Sequence, residues 1–243
     1  MNLVLIELNE LNFDYIKKYF EKFKIKNLEK IYNNIIETES ENSYELLEPW
    51  IQWQSIHTGK TAKEHGVFRL GDATNSNHKQ IFNQIEKLGF KVGSISAMNS
   101  INDLENPSYF IPDPWTSTKS DKKFFSRLIT KVLKDTVNNN ASQSFSKINY
   151  IYLILIFFKF VRVKKYFLFF QYGFQTIFKR WKKALFLDLL INEIHLFYMQ
   201  QEKPNFSCVF FNAVAHIQHH YLLNSLANNT NIKNPEWLIK KED

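Results

Sequence analysis

The chain of 243 residues has one cysteine, Cys208, six glycines and six prolines. A single cysteine excludes a disulfide scaffold and any Cys-rich zinc module, and fits a reducing compartment. Few Gly and Pro beside abundant Asn, Lys, Ile and Phe read as AT-rich coding bias, so composition carries little functional information. Long apolar runs are lacking too. The strongest, Ile148 to Phe158, is well short of the roughly 20 residues that span a bilayer. Extending it to residue 178 would bury Lys159, Arg162, Lys164 and Lys165 at about 2.5–3.5 kcal/mol each. This excludes a transmembrane helix but not an in-plane one that sinks its Phe, Leu and Tyr and snorkels its Lys and Arg. Met1–Leu8, broken by Glu7, has neither a basic leader region nor a small-residue cleavage site. It reads as a first strand rather than a signal peptide, and the expected location is cytoplasmic, peripheral at the inner face of the membrane.

What is present is enough apolar material for one sizeable core, 44% hydrophobic and 16% aromatic, which excludes a disordered chain. The net charge of +7 is unevenly placed. Between Lys119 and Lys183 stand 15 Lys or Arg against Asp121 and Asp135, a local charge of +13, while the remainder holds 16 basic and 22 acidic residues, a charge of −6. Sixteen aromatic residues share the basic stretch. A basic, aromatic-rich segment suits an anionic surface, or forms a solvated helical face over an aromatic core. Nucleic acid is not expected, because no helix-turn-helix, zinc-finger or stacking-platform signature accompanies the charge.

Along the chain, Leu3–Leu8 reads as a strand and Phe13–Phe23 as a helix. Trp50–Thr58 runs into Thr58-Gly59, Gly71–His78 is a polar loop, Gln80–Leu88 a helix stopped by Gly89, and Phe90–Ser96 the next strand. Pro107–Pro114 reads as loop. From Asp121 long helical runs follow, divided by a polar linker at Asn138–Ser142, and Trp181–Gln200 is one helix ended by Glu202-Lys203-Pro204. Phe206–Phe211 is a short buried strand. The fold class predicted is α/β, a mostly parallel sheet flanked by helices with a basic, aromatic-rich helical insertion. Its parts are 1–118, the N-terminal part of the α/β domain; 119–203, the insertion or cap; and 204–243, the last strand, a His-rich helix start and the tail.

Ligands of open α/β sheets bind at the carboxyl ends of the strands. The polar residues there are Glu7, Asn9 and Glu10, then Asn99, then Asn212, His216, His219 and His220. On a helix, Asn212, His216 and His219 or His220 form one stripe, a spacing suited to a borderline ion such as zinc, or to a solvated polar face. His195, inside the long helix, reads as a packing residue. Trp50, Trp53 and Trp115 would stack on sugar rings or pack loops.

The segments Asn9-Glu-Leu-Asn-Phe-Asp14-Tyr15, Glu48-Pro-Trp-Ile-Gln-Trp-Gln-Ser-Ile-His-Thr58-Gly59, His65-Gly66-Val67 and Phe211-Asn212 with His216 resemble the alkaline phosphatase superfamily, near the type I phosphodiesterase/nucleotide pyrophosphatases and sulfatases. The family's Thr-Gly-x-x-x-x-x-His-Gly element is matched by Thr58-Gly59 and His65-Gly66. Asn9 stands in place of the metal-binding Asp of the first strand, and Asn212 with His216 in place of the Asp-x-x-x-His pair. Pro49 occupies the nucleophile position, leaving Ser55 and Thr58 as the nearby hydroxyls. After His220 the family's further Asp-His pair has no counterpart, so the chain reads as a shortened member with a degenerate site.

The resemblance implies a metal-dependent hydrolase or transferase acting on a phosphate or sulfate ester, and Trp50, Trp53 and Trp115 point to the ester of a glycan or glycolipid. The metal would be zinc first, with manganese or magnesium as alternatives, on Asn9, Glu10, Asn212, His216 and His219. Trp50, Gln52, Gln54, His65 and Asn99 would contact the substrate, and residues 119–183 an anionic membrane. The alternatives are an inactive member acting as a binding or scaffold protein, and a shortened member of low stability.

Overall fold

Extended chain repeats every two residues, so Leu5, Glu7 and Asn9 share one side of the first strand, β1 (Leu3–Leu8), and it is this side that turns inward. The structure, a computed structural model, describes residues 2–14, 16–17, 26–36, 38, 43–138, 146–179, 181–225, 228 and 230–235. Phe13, Asp14, Ile16 and Lys17 are helical, while the rest of the helix expected over Phe13–Phe23 and the linker beyond Asn138 lie outside the described residues.

The fold is α/β, with four parallel strands in the order β1, β4 (Phe206–Phe211), β2 (Val92–Ile95), β3 (Tyr109–Ile111). Leu3 pairs with Phe206 and Leu8 with Phe211, so the first and last strands of the sequence lie side by side and end at the same edge. The helices are α1 (Lys26–Tyr32), α2 (Pro49–Thr58), α3 (Ala62–His65), α4 (Ile81–Lys87), α5 (Phe124–Asn138), α6 (Lys147–Phe160), α7 (Tyr166–Phe178), α8 (Lys182–Glu202) and α9 (Ala213–Tyr221). α2 begins with Pro49 in its first turn, where a missing N–H costs nothing, and stops at Gly59 in the left-handed region (φ 67°). α3 is closed by a Thr61–Glu64 capping box.

The segment Pro107–Pro114 expected as loop contains β3. Three residues between two prolines are too short to display alternation, yet all three are buried. The outer edge of β3 is covered by Asp121, whose N–H donates to Phe110 O (2.9 Å) and whose Oδ2 accepts from Phe110 N–H (2.7 Å). This protects a strand edge that would otherwise present unpaired backbone groups.

One row across the sheet explains a glycine. Tyr109, Gly93 and Ser207 are neighbours on β3, β2 and β4. The Tyr109 ring lies over Gly93, where a Cβ would come within 2.3 Å of Cζ. Its hydroxyl thereby reaches Ser207 Oγ at 2.5 Å, and His195 Nε2 of α8 meets the same oxygen at 2.6 Å. His195 is buried, in keeping with a packing role. On this side Ile95, Ile111 and Val209 pack with Leu128, Ile129 and Val132 of α5, Ile156 and Phe160 of α6, Phe169 of α7 and Ile194 of α8. The segment 119–203 thus shares the sheet's core. Phe82, Val92, Phe206 and Cys208 form a smaller core on the opposite side. No described helix is long and apolar enough to cross a membrane.

Candidate functional site

Each strand that reaches the carboxyl edge hands over to polar residues there. β1 is followed by Asn9 and Glu10, β2 by Ser96 and Asn99, and β4 by Asn212, which leads into α9. Of the four non-glycine residues with positive φ among the described residues, Glu10 (54°), Ser96 (57°) and Asn99 (56°) all sit at this edge. Such strain concentrates where the surrounding structure fixes a site.

The edge brings together the five residues expected to bind metal, and hydrogen bonds already engage four of them. Asn9 Nδ2 donates to Asn212 Oδ1 (2.9 Å), and Trp53 Nε1 donates to Asn9 Oδ1 (3.0 Å). Glu10 Oε2 pairs with His219 Nε2 at 2.8 Å, and the Glu10 carbonyl accepts from Gln218 Nε2 at 2.6 Å. His216 faces His220, ring centroids 4.8 Å apart. Burial, then His220 and His219, hold its pKa below the ordinary value. Among the described residues no group of three or more His, Cys, Asp or Glu is placed to hold a metal ion. Both carboxamides and the Glu10 carboxylate are bonded within the protein, so a zinc, manganese or magnesium ion held here would have to displace these bonds.

Glu7, on the same side of β1 as Asn9, is buried deeper against α2. Its Oε1 meets His57 Nε2 at 2.7 Å with both side chains fully buried, and accepts from the Cys208 thiol at 3.2 Å. Burial, then the Glu7 carboxylate, push the Cys208 pKa well above its ordinary value, so it stays a thiol donor. Among the described residues, Glu7 Oε2 and His57 Nδ1 have no hydrogen-bond partner.

The hydroxyls of α2 are engaged in its own packing. Thr58 donates to the Gln54 carbonyl (2.7 Å). His65 Nδ1 accepts from Val67 N–H (3.0 Å), so the neutral ring carries its proton on Nε2 and presents that N–H to Ser55 Oγ (3.0 Å). A histidine donating to a serine does not act as its base. Burial, then His78, also hold the His65 pKa below its ordinary value. Pro49 at the start of α2 offers no hydroxyl.

The residues expected to contact substrate brace the loops around α2. Trp50 Nε1 donates to the Phe68 carbonyl, and the buried Gln54 accepts from Gln80. Asn99 joins three segments: its Oδ1 accepts from Gly71 N–H (2.7 Å), its Nδ2 donates to the Trp50 carbonyl (3.0 Å) and its N–H donates to Asp113 Oδ2 (3.0 Å). Gln52 is half-buried on α2.

A cavity of about 990 Å³, half open to solvent, lies between the sheet and helices α5 to α9. Its floor is Ser96, Phe210 and Asn212; its walls include Val132, Leu133, Leu153, Phe186, Leu187 and Ile191; and Trp115, Lys183, Asp188 and His216 add polar groups. Trp50, Gln52, Gln54, His65 and Asn99 do not line it, whereas Asn212 and His216 do. No sequence motif marks Asp188. From α8 it accepts Ala213 N–H (2.7 Å) and Asn212 N–H (3.3 Å), closing the start of α9 as an anion would. Burial outweighs these two bonds and pushes its pKa up to about 6. The contact spans 24 or 25 residues, so no local pattern announces it. His57 was also passed over, although a carboxylate at position 7, on the inward side of β1, requires a buried partner. Comparison with protein-family models, curated proteins and solved structures finds no match for this chain.

Proposed function

We propose that the protein binds an amphipathic molecule, lodging its apolar part in the cavity beneath the helices and presenting a polar ester or glycan head at the carboxyl edge of the sheet. The observation that carries this reading is the cavity itself, apolar along α5 to α8 and polar where Trp115, Asp188, Asn212 and His216 meet. Pockets of this size and character take ligands that bury most of their surface in them. Lys183 and the Trp115 indole are the groups suited to a charged or sugar head. Asp188 already fills the anion-binding end of α9, which favours an apolar chain as the main source of affinity over a bare phosphate.

Isothermal titration of the full chain with octyl phosphate and octyl glucoside, below their micelle concentrations, against inorganic phosphate and glucose tests this. The octyl compounds are expected to bind and the headgroups alone not to, with Leu187→Arg weakening binding at least tenfold. Equal binding of inorganic phosphate, or indifference to Leu187→Arg, overturns the reading.

The second reading, a metal-dependent phosphate or sulfate ester hydrolase, draws on the convergence of Asn9, Asn212 and His216 at one edge beside α2. It requires the amide and carboxylate bonds there to open. Stoichiometric zinc, manganese or magnesium in the purified chain, lost in His216→Ala together with p-nitrophenyl phosphate hydrolysis, would replace the binding reading with this one.

A further inference from the structure

The exposed surfaces of helices α6 and α7 are largely apolar, interrupted by Tyr150 and Lys159 on α6 and by Gln171 on α7. α6 buries Asn149, Ile156 and Phe160, yet its outward stripe at positions 148, 151, 155 and 158 is Ile, Ile, Leu, Phe. α7 buries Phe169 and turns Gly173 and Thr176 toward the cavity, while its outward stripe at 167, 170, 174 and 177 is Phe, Phe, Phe, Ile. Phe167 is 81% exposed, Phe174 63% and Ile177 70%. Exposed helices ordinarily carry charged residues at such positions. The two stripes belong to neighbouring helices, joined by ring contacts of Phe157 with Tyr166 (4.9 Å) and Phe170 (5.8 Å) and of Phe158 with Tyr166 (5.8 Å).

Cations stand at the ends of both helices. Lys164 and Lys165 occupy the turn between the helices, Lys147 begins α6, and Lys179 follows α7. None of the four forms an ion pair among the described residues, whereas Arg162 is taken by the buried Glu193 (2.6 Å). At 14 and 13 residues the helices are too short to cross a bilayer, which leaves the interface plane.

We infer that the outward face of α6 and α7 docks in the surface of an anionic membrane, with its Phe, Ile and Leu side chains among the acyl chains and Lys147, Lys164, Lys165 and Lys179 at the headgroups. Charge complementarity selects this occupant. A symmetric contact with a second copy would set each cationic rim against its twin, whereas an anionic leaflet neutralises the cations while it takes up the apolar stripe. The same helix α7 walls the cavity from inside, so docking would set the cavity against the lipid phase. The inference stands on the outer face and does not depend on what the cavity holds.

The test is flotation of the full chain on a density gradient with vesicles, which separates lipid-bound protein from aggregate. With phosphatidylglycerol in phosphatidylcholine at low salt the chain is expected to float. Binding is expected to fall at least tenfold on pure phosphatidylcholine, at high salt, in Phe170→Asp/Phe174→Asp and in Lys164→Glu/Lys165→Glu. Phe170, Phe174 and Lys164 are exposed and Lys165 is half-buried, and unchanged circular dichroism would establish that each variant is folded. Failure of the wild type to float on anionic vesicles, or flotation unaltered by either folded variant, overturns the inference. So does a wild-type dimer in sedimentation velocity that Phe170→Asp/Phe174→Asp converts to monomer without changing flotation.

Discussion

His195 and Asp188, on the same helix, are pulled in opposite directions by the same burial. Burial lowers His195 to about 4 from 6.5 and raises Asp188 to about 6 from 3.8. For His195 the unfolded chain binds more protons between pH 4 and 6.5, so its contribution to stability is present above 6.5 and is lost as pH falls through 4. For Asp188 the folded chain binds more protons between 3.8 and 6, so its contribution falls as pH rises through that window. Each amounts to about 3 kcal/mol by linkage. The two nearly cancel and leave the pH profile flat so far as these groups set it. Asp188→Asn removes one arm. In urea unfolding its stability relative to wild type is expected to rise by about 3 kcal/mol between pH 4 and pH 7, while His195→Gln moves the other way. A difference that stays constant across the window would show that Asp188 titrates as an exposed carboxylate. Neither residue signals this in sequence, since burial at positions 188 and 195 follows from where α8 lies and not from its neighbours in the chain.

At the scale of elements, the sheet depends on the row Tyr109–Gly93–Ser207. A methyl group at position 93 would overlap the Tyr109 ring, and both residues are fully buried on paired backbones that cannot move apart cheaply. Gly93→Ala is expected to cost about 3 kcal/mol, the upper end for overpacking. In a Tyr109→Leu background, which removes the ring, the same change should cost less than about 1 kcal/mol. Denaturant midpoints of the four proteins test this, and a cost independent of Tyr109 would contradict the row. The row also marks where sequence reading stops. β1, β2 and β4 are legible as apolar, β-compatible runs, and α4 and α8 as helical runs followed by Gly89 and Pro204. β3 is not, because three residues between prolines have no period to show. In sequence Gly93 reads only as part of a strand, because what sits on it arrives from 16 residues away.

Across the whole molecule, the gathering of Asn9, Asn212 and His216 at one edge was legible, because parallel strands bring every loop at their carboxyl ends to the same side. The cavity was not, because its walls come from α5 to α9 and its size depends on how five helices pack, which no spacing encodes. Ligand binding in this cavity, as proposed, would make stability depend on ligand. A ligand that binds only the folded chain stabilises it by about 2.7 kcal/mol at a hundredfold excess over its dissociation constant, which in a chain of this length raises Tm by about 5–10 °C. Octyl phosphate or octyl glucoside should produce such a shift. Gly173 on α7 lines the cavity, and a Cβ there meets only Phe186 Cε2, at an ordinary 3.7 Å. Gly173→Leu should therefore raise the ligand-free Tm, by replacing a helical glycine worth about 1 kcal/mol and by filling space, and should abolish the ligand-induced shift. If the variant melts higher yet keeps the full shift, the ligand sits elsewhere and the cavity is only a packing defect between the helices and the sheet.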